Sequence, residues 1–107
     1  MWSEKMKPEI LRAAFGLNQY ESEVLSILMY KGELKVGQIT KLTGVPRSRV
    51  YDIAESLIRK GLAKQIKESA PLVFISCDKK TMLKNYKIFV LKKVKDKIKS
   101  CKEILKL

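Results

Sequence analysis

The sequence contains no histidine, so the most versatile general base and the commonest metal ligand are both missing. Its two cysteines, Cys77 and Cys101, stand 24 residues apart with no Cys-x-x-Cys spacing, which indicates neither a zinc site nor a redox pair. Both are expected as small apolar fillers in a reducing compartment. No Gly-rich phosphate loop occurs. An enzyme, a metal site and a bound cofactor are therefore not expected. No apolar run approaches the eighteen or so residues of a membrane span. The polar opening Met1-Trp2-Ser3-Glu4-Lys5 is not a signal peptide. A cytoplasmic protein with no membrane partner is the expectation.

Acidic side chains are also scarce, 11 against 23 lysines and arginines, and the net charge of +12 predicts attraction to a polyanion. The imbalance is uneven. Residues 79–107 hold eleven lysines against Asp96 and Glu103, a net of +9, whereas residues 1–78 carry only +3. A chain of 107 residues forms one modest core, and 46% apolar residues argue against disorder.

The segment from Gly44 to Gly61 reads as a turn followed by a helix with two unlike faces. Gly44 can take a backbone conformation closed to other residues, and Pro46 suits a first helical turn, where its missing N–H costs nothing. Val50, Ile53, Ala54, Leu57 and Ile58 then form one apolar stripe. Ser48, Asp52, Glu55 and Arg59 point the other way, with Arg49 beside them and Tyr51 on the flank. Gly61 closes the helix. A helix anchored along one side, with basic and hydroxyl side chains at its N-terminal end, is how a recognition helix meets a DNA groove.

The flanking segments fit that reading. A short helix around Glu9–Phe15, ended by Gly16, is expected to pack Ile10, Leu11 and Phe15 on the body or on a second subunit. Asn18 followed by Glu21 is a variant capping box, and it opens a helix with Tyr20, Val24, Ile27 and Leu28 on one face. Gly32 ends it, and Leu34 is expected to bridge to a later sheet. A second helix over Val36–Thr43 puts Ile39 and Leu42 inward and Gln38 and Lys41 outward, although Lys35 is a poor cap. The order is that of a helix-turn-helix.

After Gly61 the period changes. Residues 62–67 and 72–76 read as two strands joined by Glu68-Ser69-Ala70-Pro71, the wing of a winged helix. Lys64 and Lys67 can reach a phosphate backbone or can equally be solvated edge-strand lysines. Asp78 caps a last helix of about 28 residues. Its stripe, Leu83, Tyr86, Val90, Val94, Ile98, Cys101 and Leu105, follows an 11-residue repeat close to a straight helix. That stripe is too long for the body to cover, and a second copy of the same helix is the simplest partner.

Phe15-Gly16-Leu17-Asn18-Gln19-Tyr20-Glu21 resembles the Gly-Leu-Thr-x-Tyr-Glu opening of TrmB-like archaeal transcriptional regulators. Thr43-Gly44-Val45-Pro46-Arg47-Ser48-Arg49-Val50-Tyr51 is similar to that family's Ser-Gly-Val-Pro-Arg-Ser-Lys-Val-Tyr segment. Leu57-Ile58-Arg59-Lys60-Gly61-Leu62 and Pro71-Leu72-Val73-Phe74 follow its later pattern. The likeness covers about residues 15–80. Asn18 replaces a threonine, Phe74 a tyrosine and Lys79 a proline. The resemblance implies a winged helix that binds double-stranded DNA, with Arg47, Ser48, Arg49 and Tyr51 on the recognition helix. Members that sense sugars carry a large C-terminal ligand domain, and this chain ends after one helix, so no small-molecule ligand is expected.

The combined expectation is an α+β, mostly α, winged helix-turn-helix over residues 1–78. A basic dimerisation helix follows over residues 79–107. The function expected is that of a homodimeric, sequence-specific regulator of transcription, with repression by promoter occupancy the simplest mode. Arg47, Arg49 and Asp52 are candidate base readers. Gln38, Lys41, Thr43, Lys64 and Lys67 are candidate phosphate contacts. The alternative is a winged-helix adaptor between proteins, favoured by Asp52 and Glu55 on the outward face.

Overall fold

The computed structural model describes residues 7–67 and 71–107. Five helices and a three-stranded antiparallel sheet follow in the order α1 (Pro8–Phe15), α2 (Gln19–Lys31), β1 (Leu34–Lys35), α3 (Val36–Thr43), α4 (Arg47–Arg59), β2 (Ala63–Lys67), β3 (Val73–Ser76) and α5 (Lys79–Leu105). The class is α+β, mostly α: a winged helix-turn-helix carrying a long C-terminal helix. The turn residues 68–70 expected between the strands lie outside the described residues.

Local signals place the first elements. Gly16 takes φ +62° and closes α1. The side chain of Asn18 accepts from Glu21 N at 2.8 Å, and Glu21 Oε1 accepts from Asn18 N at 3.0 Å, which completes the capping box. The weak cap at Lys35 is compensated twice. Gln38 Oε1 reaches back to accept from Lys35 N at 2.9 Å, and Lys35 and Leu34 pair with Val73 and Phe74 of β3. The expected single-residue bridge is thus a two-residue strand. The sheet order is β1-β3-β2, so Phe74 lies on the central strand and is buried. An extra residue at Ile66 breaks the β2–β3 register between Gln65 and Lys67. Such a bulge twists and bends its strand.

The core runs from Leu11 and Leu17 through Val24, Leu25, Leu28, Ile39, Val50 and Leu57 to Leu62, Phe74 and Met82. Three inward assignments fail at its rim. Leu42 is 46% exposed, Ile58 is 36% exposed, and Tyr20 turns outward, because each stripe is wider than the surface that covers it. Pro46 is the residue before α4, with ψ 141°, and lies outside its first turn. Cys77 is a buried filler as expected, and burial pushes its thiol pKa up. Cys101 is exposed and fills nothing within this chain.

Helix α5 begins on an Asp78 cap, whose side chain accepts from Thr81 N at 2.9 Å. Its first turns pack on the body. Met82 is buried, and Tyr86 Oη donates to Phe15 O at 2.9 Å while its ring meets Phe15 edge-on. Tyr86 therefore leaves the outward stripe. Asn85 Nδ2 donates to Gly61 O at 3.0 Å, and a Cβ at Gly61 would collide with Asn85. From Val90 onward every α5 residue is exposed. No helix among the described residues is long and apolar enough to cross a membrane.

Glu21 is 4% exposed, and its second oxygen joins α2 to α4. Oε2 accepts from Ser56 Oγ and forms an ion pair with Lys60 Nζ at 2.8 Å. Burial alone would raise its pKa. The bonds from Asn18 N–H, Lys60 and Ser56 outweigh burial and hold it below the usual glutamate value. A lowered folded-state pKa means stability that is complete above the unfolded value, about 4.3. It is lost as pH falls through the folded value. Glu21→Gln is expected to lower the melting temperature at neutral pH and to flatten the loss of stability below about pH 4 relative to wild type. Thermal melts across pH 2–7, read by circular dichroism, check both effects, and an unchanged acid limb would refute the assignment.

Candidate nucleic-acid interface

Helix α4 is clamped along one face by Val50, Ile53, Ala54 and Leu57, all buried, and at its rear by the Ser56 and Lys60 bonds to Glu21. The clamp leaves Arg47, Ser48, Arg49, Tyr51 and Asp52 exposed on its first two turns. Pro46 supplies no side-chain cap, so the N–H groups of Arg47 and Ser48 have no partner among the described residues, while that of Arg49 donates to Pro46 O at 2.9 Å. A helix N-terminus of this kind favours an anion.

The two arginines lie on opposite flanks. Arg47 sits over α3, where a Cβ on Gly37 would meet its Nη1 at 3.4 Å. It lines a cleft of about 400 Å³ with Lys35, Gln38, Lys41 and Tyr51, closed on the wing side by Leu72. Arg49 leans the other way, its guanidinium 5.4 Å from the centre of the Tyr20 ring, along a groove containing Asn18, Asp52 and Ser56. Tyr20, assigned by periodicity to the core, thus serves as a platform for Arg49. Sequence patterning hinted at this only through the aromatic at the start of α2. Asp52 forms no ion pair among the described residues.

Two of the sequence-derived phosphate contacts have local duties. Gln38 spends its carbonyl oxygen on Lys35 N, which leaves its amide N–H groups for other acceptors. Thr43 Oγ1 donates to Ile39 O at 2.7 Å and accepts from Val45 N at 3.1 Å. Its one proton is already used to shape the α3–α4 turn, which removes Thr43 from the donors open to a phosphate. Gly44, at φ +79°, completes that turn. Lys41 and Lys64 are exposed on α3 and β2, and Lys67 ends β2 opposite Val73.

Of the outward stripe on α5, Leu83, Val90, Val94, Ile98, Cys101 and Leu105 are exposed. Leu91 is 58% exposed and was missed by the 11-residue pattern. It extends a tighter seam of Leu91, Val94, Ile98, Cys101 and Leu105, spaced alternately by three and four residues. A separate cleft of about 460 Å³ lies between Arg59 and Gly61 and the α5 residues Asn85, Ile88, Phe89 and Lys92.

Thr43→Val keeps the shape and removes both hydroxyl bonds. It is expected to cost about 1–3 kcal/mol of stability while leaving the salt dependence of DNA binding unchanged. Urea denaturation and titrations of a duplex at several salt concentrations measure the two quantities separately.

A family model described as the sugar-specific transcriptional regulator TrmB matches residues 11–93. The HTH-type sugar sensing transcriptional regulator TrmBL1 of Pyrococcus furiosus is 41% identical over 58 residues, 52% of this chain and 17% of that protein. The putative HTH-type transcriptional regulator TrmBL2 of the same organism is 36% identical over 55 residues, 51% of this chain and 21% of that protein. The matched segment is thus about a fifth of these relatives' length. Among solved structures, TrmBL2, an archaeal chromatin protein, superposes with a TM-score of 0.74 at 24% identity, over 97% of this chain and 39% of that one. A MarR family transcriptional regulator from Silicibacter pomeroyi superposes with a TM-score of 0.57 at 25% identity, over 97% of this chain and 76% of that one. Similarity at that level of identity carries the winged-helix fold, and the family match carries the relationship to regulators of transcription. The chain belongs to the TrmB family of transcriptional regulators.

Proposed function

We propose that this chain works as a homodimer that binds double-stranded DNA sequence-specifically and represses transcription by occupying a promoter. The observation that supports it most is the division of α4. One face is wholly buried, while the first two turns present Arg47, Ser48, Arg49 and Tyr51 to solvent. In this reading α4 enters the major groove. Arg47 and Arg49 donate bidentately to guanine O6 and N7, and Asp52 accepts from a cytosine amino group. Lys41, Lys64 and the amide of Gln38 hold phosphates and fix the register, with Lys67 as a further wing contact. The exposed N–H groups at the front of α4 suit a phosphate oxygen.

The homodimer rests on the α5 seam. Leu91, Val94 and Ile98 are each more than half exposed, and pairing two such seams removes apolar surface worth about 25 cal/mol per Å² from water. Two stems of charge +9 repel, so salt should strengthen the pair while weakening DNA binding. A fixed pair holds two copies of α4 at one spacing, and the second half-site then binds at high effective concentration.

If the dimer neutralises about eight phosphates, the logarithm of affinity against the logarithm of salt should slope near −7. Arg47→Ala and Arg49→Ala should each cost about 1–3 kcal/mol on a selected site and relax specificity if they read bases, or weaken all sequences alike if they hold phosphates. Fluorescence anisotropy on duplexes selected from random DNA reads these outcomes. Absence of salt-dependent binding would favour the adaptor reading, for which the exposed Asp52 and Glu55 are suited.

Val94→Glu places a charge in the seam and should convert the dimer to a folded monomer with weaker binding. Sedimentation of the full-length variant at high and low salt checks this. A variant that stays dimeric would place the interface elsewhere, for example on the exposed Ile10 of α1.

A further inference from the structure

We propose that a rail of lysines along α5 is a second contact surface for the sugar-phosphate backbone of duplex DNA, separate from the front of α4. The proposal rests on DNA being the partner and goes beyond the residues of the winged helix. Lys84, Lys92, Lys95, Lys99, Lys102 and Lys106 recur at steps of three, four and eight residues, with Ile88 filling the long gap. Steps of this size keep Lys84 to Lys102 on one side of the helix, and Lys106 follows at the C-cap, just past its end. All six are exposed.

An ordinary solvated helix face alternates its charges, whereas from Lys92 to Lys106 this side reads lysine at every step. Lys84, Lys95 and Lys102 have no acidic residue three or four positions away in the sequence. Asp96 stands at helical spacing from Lys92 and Lys99, and Glu103 from Lys99 and three positions before Lys106, yet no rail lysine is ion-paired among the described residues. Like charges at these spacings repel, and a polyanion relieves that repulsion by replacing condensed counterions with lysines. Lys92 to Lys102 spans about 15 Å of helix, enough to follow successive phosphates of one strand.

The rail also differs in position from the other two surfaces. On the helical wheel it lies beside the seam of Leu91, Val94 and Ile98, so pairing of the seams leaves it open. Its root is at the rear of α4, where Asn85 bonds Gly61, while Arg47 opens the front about 18 Å away along the helix. The phosphates it reaches are therefore other than those beside the bases that α4 faces.

The test uses the full chain and a 40-base-pair random duplex. In the first arm, lysine acetylation is measured with and without DNA by mass spectrometry. Lys95, Lys99, Lys102 and Lys106 are expected to be protected at least several-fold, while Lys31, at the end of α2, reacts unchanged. In the second arm, four of the six rail lysines are changed together (Lys95→Gln, Lys99→Gln, Lys102→Gln, Lys106→Gln). Glutamine has nearly the helix propensity of lysine, so α5 is kept. The salt slope should become shallower by about 0.9 for each phosphate these lysines neutralise, and the matching arginine variant should restore it.

Unprotected rail lysines, or an unchanged slope in the glutamine variant, overturn the proposal. If Arg47→Ala still weakens binding in that event, only the rail is wrong. If the wild-type chain binds no duplex, the rail and the α4 reading fall together.

Discussion

Glu21 is a single buried carboxylate that satisfies three donors on two helices. Through Oε1 it closes the N-terminus of α2, and through Oε2 it holds Ser56 and Lys60 near the end of α4. A charge at 4% exposure is tolerated only because each of these groups is in place. The rest of the reading end depends on that arrangement. A helix that presents its first turns to a ligand cannot be gripped there, so it must be held along one side and at its back. The apolar side supplies the energy, and the Glu21–Lys60 pair fixes the helix against sliding or rolling within an apolar contact that is not directional.

Much of this fold was legible because its signals are local. The Asn18–Glu21 box, the turn at Gly44 and the bounds Val36–Thr43 are each specified within a few residues. The parts that were not legible depend on partners far away in sequence. Glu21 reads as a capping residue from its neighbours, and nothing nearby announces Ser56 and Lys60, 35 and 39 positions on. Tyr86 fits a helical stripe perfectly well, yet its hydroxyl is claimed by Phe15, 71 positions earlier. Periodicity identifies the middle of an apolar stripe but not how far the cover extends. That is why Leu42, Ile58 and Tyr20 fall outside it. At the candidate interface, sequence found the outward residues of α4, but it could not see that Thr43 had already spent its proton on the turn.

Charge and apolar surface are distributed in opposition along this molecule. The winged helix carries a net charge of only +3 and buries an apolar core. The stem carries most of the net charge and, from Val90 onward, leaves its apolar residues bare. A bare apolar seam draws copies together, and lysine on its flanks drives them apart. Whatever lowers the effective charge, salt or a polyanion, acts on the first tendency by weakening the second.

The contact between Asn85 and Gly61 gives the stem a mechanical meaning. A side chain at Gly61 would collide with Asn85, and the hydrogen bond to its carbonyl ties α5 to the turn that ends α4. The joint is braced by that bond and by the close approach of the two residues. The helix from Asn85 to Leu105 makes an arm about 30 Å long beyond the joint. A pivot of about 10° at this joint would move the tip by about 5 Å. Read in reverse, whatever grips the arm also bears on α4, through the turn that ends it.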